Sequence, residues 1–216
     1  MVSTMNEVRE RPDSSARWAV LLEAVSVVVA LGEALAALIS GLVATSFALI
    51  AFGADSIIEV LSAFVVMAQL LAMLKRSQVS DRSRHWSHRV IAFLFFCLAL
   101  YVTISTAVAL ADQVHAKENR LGFAVCIASA ILMPGLAFAK RKTSRTMSRT
   151  GLSDIGRLLA SDASETALCA LLSIGTLMGI GLTQWLSWWW ADPLASLFVV
   201  FFALREGREA WRCATD

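Results

Sequence analysis

Residues 46–62 read SFALIAFGADSIIEVLS, and the apolar character continues without a break to Leu74. At about 1.5 Å of helical rise per residue, a run of this length crosses the ~30 Å hydrocarbon core of a bilayer. Inside it stand two acids, Asp55 and Glu59. They are one helical turn apart, so both carboxylates project from the same face and converge on one point. An ionised carboxylate at mid-membrane costs at least about 2.5–3.5 kcal/mol, which normally forces it toward the interior of a helical bundle, where it serves a purpose. The stretch therefore predicts an all-α integral membrane protein with a polar interior.

The rest of the 216-residue chain agrees. Hydrophobic residues make up 57% and charged residues 17%, against roughly 45–50% and 25% in soluble domains, so a water-soluble or nucleic-acid-binding protein is not expected. Six apolar stretches are drawn: Trp18 to Leu42, Ser46 to Leu74, Val90 to Ala111, Leu121 to Ala139, Leu158 to Leu182 and Trp188 to Leu204. They are expected to form one six-helix transmembrane domain over 17–212, preceded by a polar segment, 1–16, and followed by a short tail, 213–216. The N-terminal segment lacks the apolar core of a signal peptide, so the first helix is expected to stay in the mature protein. Of 19 Lys and Arg, all but Lys117 and Arg120 fall on one side of this arrangement. That bias predicts cytoplasmic N and C termini and a multi-pass protein of the plasma (inner) membrane. All seven tryptophans lie at span ends, where the headgroup layer favours them. Pro134 is expected to kink span four, and Asp192, before Pro193, reads as the N-cap of span six.

Further acids lie in the spans: Glu23 and Glu33 in the first, Asp162 and Glu165 in the fifth. No Lys or Arg is expected at comparable depth to neutralise them. Asp162 and Glu165 are three apart and share a helix face. Two such pairs on facing helices offer up to four oxygen groups, a donor set for a divalent cation. Glu33 is deep enough to be a further ligand or proton carrier, while Glu23 lies nearer the cytoplasmic end. Depth is the difficulty, because Glu59 is about 20 Å below the turn at Thr45 whereas Asp162 is about 33 Å below Gln184. Glu165, at about 28 Å, needs less tilt to meet Glu59.

The run from Ser46 to Ser62 resembles the second helix of cation diffusion facilitator (cation efflux) transporters, whose D-S-x-x-D pattern supplies half of the metal site. The run Asp192-Pro193-Leu194-Ala195-Ser196-Leu197 resembles that family's D-P-x-x-S/A-L start of the sixth helix. By this resemblance Asp55 and Glu59 take the two acid positions of helix two, with Glu for Asp at the second. Helix five of the family carries H-x-x-x-D. Here either Asp162 pairs with Thr166 or Ser161 pairs with Glu165, and neither register contains a histidine. The resemblance is to a short branch without the C-terminal cytoplasmic domain, and it implies a homodimer.

The function expected is divalent metal efflux by metal/proton antiport, with Asp55, Glu59, Asp162, Glu165 and Glu33 as metal-site residues. Zinc leads, manganese and ferrous iron follow, and no cofactor is permanently bound. Partners are the metal ions, protons and the lipid bilayer, with no nucleic acid. A channel or transporter for another cation, or a membrane regulatory or scaffold subunit, are the alternatives. An enzyme is not expected, since H-E-x-x-H is absent and every histidine lies outside the spans. Asp81, His85 and His88 form a second D-x3-H-x2-H candidate in the cytoplasmic loop. Arg82, Arg84 and Arg89 oppose it, so a solvated loop is expected there. His115 is read as a lone histidine without partners. The four cysteines show no clip or disulfide spacing and are read as small buried hydrophobes.

Overall fold

A computed structural model describes residues 3–74, 81–117, 119–149 and 152–213, with side chains over 15–72, 86, 89–117, 119–149, 152 and 156–212. It is built of six helices: α1 (Ser3–Ala44), α2 (Phe47–Leu74), α3 (Asp81–Ala111), α4 (Arg120–Arg149), α5 (Ser153–Leu186) and α6 (Ala191–Cys213). Helix α1 packs on α2 and α4, α4 on α5, and α2 on α5. Helices α3 and α6 pair with each other and lean on α2 and α5.

The pattern is that of a protein turned inside out. Along α1 the buried positions Ala16, Ala19, Glu23, Ser26, Ala30, Glu33, Ala37 and Ser40 recur every three or four residues, and all are small or polar. The opposite face presents Trp18, Leu21, Val25, Val28, Leu31, Leu35, Ile39 and Leu42. Small side chains let neighbouring backbones approach where lipid gives no hydrophobic driving force. A Cβ on Gly53 would stand 2.9 Å from the Leu38 backbone nitrogen, and one on Gly41 2.8 Å from that of Ile50, so α1 and α2 meet backbone to backbone.

Five helices contain segments long and apolar enough to cross a membrane: Ser15–Ala44, Phe47–Ala72, Arg89–Ala111, Arg120–Arg149 and Gly156–Leu186. The sixth expected span falls outside this group. Its uninterrupted apolar run is short, bounded by Asp192 and by the charged sequence Arg205, Glu206, Arg208 and Glu209. Helix α4 runs through Pro134 without ending. Residues 81–89, expected in a loop, begin α3; the side chains of Asp81, His85 and His88 lie outside the described residues.

Three turns close one end of the bundle, with Thr45, Gln113 and Ser187 at φ of 55°, 50° and 57°. Thr45 and Gln113 end their helices with Schellman-type bonds, Ser46 N–H to Gly41 and Val114 N–H to Ala109, both 2.9 Å. At this end Asp192 caps, but not its own helix. Its carboxylate accepts hydrogen bonds from the Ser46 hydroxyl and, at 2.9 Å, from the Phe47 amide, tying α6 to the start of α2. The tryptophans of the α5–α6 turn gather here too, Trp188 stacked on Trp190 with centroids 5.1 Å apart and Trp189 5.9 Å from His115, which therefore has a partner. Trp18, Trp86 and Trp211 are exposed near the other, terminal end, where α1 begins and α6 finishes.

Candidate metal site in the bundle core

Polar side chains fill the bundle axis in layers. Nearest the terminal end, Lys140 of α4 is wholly buried and donates to Asp162 of α5, to Glu23 of α1 at 3.2 Å and to the Thr166 hydroxyl at 3.3 Å. The expectation that the intramembrane acids have no cation at their depth is therefore wrong. In the sequence Lys140 opens a basic run with Arg141 and Lys142 and looks like the start of a loop. In the structure α4 continues to Arg149, and Lys140 falls on its buried stripe Cys126, Ser129, Met133, Ala137, Lys140, Ser144, Met147 while Arg141 and Lys142 face outward. The three-and-four spacing of small and medium residues around it was the signal that could have found it. Burying such a triad is costly unless charges are matched and hydrogen-bonded; here one ammonium serves two carboxylates, and Glu23 Oε1 and Asp162 Oδ1 keep no hydrogen-bond partner.

Above this layer the Ser62 hydroxyl donates to a Glu165 carboxylate oxygen, fixing α2 against α5. That contact sets the helix register. It brings Glu165, and not Asp162, level with Ser62 at the inner end of the α2 motif, the acid that needed less tilt by the depth arithmetic. Thr166 turns with Asp162 toward Lys140.

The next layer holds Glu33 of α1, Glu59 of α2 and Cys169 of α5. One ligand atom from each lies within 4.8 Å of the other two. Glu33 and Glu59 are 6% and 2% exposed, and none of their four carboxylate oxygens has a hydrogen-bond partner. Sequence reasoning found both acids but took Cys169 for packing. Cys126 is likewise buried, whereas Cys97 is exposed, contrary to the expectation for all the span cysteines.

Asp55, one turn from Glu59 toward the turn end, lines a cavity with Glu59, Glu165, Cys169 and Glu206. A second cavity, walled by Ser62, Ser161, Asp162, Glu165, Glu206 and Glu209, shares Phe95, Glu165 and Glu206 with the first. The two cavities thus adjoin at these three residues, and acids wall both. Glu206, two residues past the last apolar stretch, has its carboxyl pushed up to about 7 by burial and by Glu209 beside it, while Arg205 pulls it down. Nothing in the sequence singled out Glu206, because its placement depends on α6 lying against α2 and α5. Comparison with protein-family models and with curated proteins gives no match.

Proposed function

We propose that this protein is a six-span exporter of divalent metal cations with both termini in the cytoplasm, similar to a short cation diffusion facilitator. Zinc is the leading substrate and manganese and ferrous iron the others. The observation that carries the reading is the set of four buried, unpartnered oxygens on Glu33 and Glu59; the acid-walled cavities near Glu59 are proposed as the ion's route. Leaving such groups unsatisfied costs about 1–3 kcal/mol each, more when charged, and a cation arriving along the route would repay that cost.

In this reading Glu33 and Glu59 hold the ion, Asp55 and Glu165 line its way in and out, and Asp162 serves chiefly to bind Lys140. Carboxylates hold metal when deprotonated, so protons and metal compete for the same oxygens. A site exposed alternately to each side then exchanges one for the other. Interfaces of Ala34, Ala37 and Gly41 permit the helix sliding this requires. Magnesium sheds water reluctantly and calcium wants six to eight oxygens, so both are expected to be poor substrates. The test is flux into liposomes holding the purified protein, across zinc, manganese, ferrous iron, magnesium and calcium. Uptake of the first three well above protein-free liposomes supports the reading; no metal flux at all refutes it.

A further inference from the structure

We propose that Cys169 is a ligand of the intramembrane cation, completing with Glu33 and Glu59 a mixed thiolate and carboxylate site that favours soft and borderline divalent ions, zinc and cadmium, over manganese. The inference rests on the cation-transport reading of the same cavity and goes beyond it by adding a sulfur donor and by narrowing the class of ion.

Three helices each deliver one donor to this point, and the three ligand atoms lie within 4.8 Å of one another. An ion with bonds of about 2.0–2.3 Å in tetrahedral array needs donors roughly 3.3–3.8 Å apart. A small inward rotation of three side chains closes the difference. A buried cysteine is ordinarily a small hydrophobe, and Cys126, which belongs to no such donor group among the described residues, fits that description. Cys169 differs in its company, since it stands against two carboxylates whose oxygens are all buried and unpartnered. It also lines a cavity with Asp55, Glu59 and Glu165, and a fourth donor would come from that cavity's wall or from water. On binding, the metal–sulfur bond forms as the S–H bond breaks, and the thiol proton leaves to water in the cavity. Thiolate selects zinc and its softer relatives, whereas manganese prefers oxygen donors. The histidine missing from helix five thus has a soft donor in its stead, one turn from Glu165 on the same helix.

The experiment uses the full chain with Cys97, Cys126 and Cys213 replaced by alanine, purified in detergent and titrated with cadmium. The readout is the ultraviolet sulfur-to-cadmium charge-transfer band. The band is expected to saturate at equimolar cadmium, to be displaced by zinc, and to resist manganese. Cys169→Ser should abolish it and weaken cadmium binding by at least about tenfold, the lower end of what losing a metal-site partner costs. Glu33→Gln, which keeps the thiol, should raise the cadmium concentration at half-saturation by a similar factor, and it tests the site even if the serine variant does not fold. Absence of the band where Cys169 is the one remaining thiol overturns the proposal, as does a band indifferent to Glu33→Gln. Zinc flux without the band would defeat the thiol ligand while leaving transport standing. The band with no flux of any ion would do the reverse.

Discussion

The buried acids of this bundle differ in their neighbours, and the part each can play follows from that difference. Asp162 and Glu23 have Lys140, so their task is to hold three helices together. Removing the ammonium leaves two uncompensated carboxylates. Lys140→Met should therefore destabilise the protein by about 3–5 kcal/mol, measured by denaturant unfolding in micelles. For the same reason Asp162→His should leave the ratio of zinc to manganese transport unchanged, even though that position is where a family histidine could align. Glu59 has no such partner, and Glu59→Gln should fold normally yet lose metal binding. Glu206 makes a prediction of its own. With its carboxyl pushed up to about 7, it is neutral below that pH and anionic above, so on the proposed route its pull on cations rises as pH passes upward through 7. Glu206→Gln should flatten that rise in the initial rate of metal entry; an unchanged pH profile would remove Glu206 from the route.

At the scale of the helix, contact distance governs where the acids stand. Glu33 and Glu59 approach because α1 and α2 touch through Gly41 and Gly53, with a Cβ at Gly53 only 3.2 Å from the Ala34 carbonyl oxygen. Gly53→Ala forces these helices apart at a cost of about 1–3 kcal/mol. It should weaken zinc binding by calorimetry while the α4–α5 ion pair, remote from the change, keeps the fold. Much at this scale was legible in the sequence. Asp55 and Glu59 announced themselves by charge inside an apolar run, whereas rise per residue favoured Glu165 over Asp162 opposite helix two without deciding between them. What was not legible depends on helix ends and partners. Lys140 was hidden by the assumption that a Lys-Arg-Lys run ends a span, when α4 continues past it to Arg149 and turns Lys140 alone of the three to its buried face. Asp192 was legible as a cap, but which helix it caps is decided by packing, since only the fold brings Ser46 beside it. Cys169 carried no signal in a single chain, because a cysteine among alanines and leucines reads as packing until the acids of other helices are placed around it.

Over the whole molecule, the apolar exterior and polar axis make sense only in lipid, and the proposed route gives the axis a direction. In the proposed mechanism metal exchanges for protons at Glu33 and Glu59, between the ion-paired layer at Lys140 and the turns that close the opposite end. The measurement that tests this most directly follows zinc uptake and internal pH together in liposomes bearing either the native protein or Glu59→Gln. Native protein is expected to take up zinc while the liposome interior turns alkaline, and Glu59→Gln to show neither change although it is correctly folded. Zinc uptake by Glu59→Gln at the native rate, or native uptake with no movement of protons, would contradict this exchange.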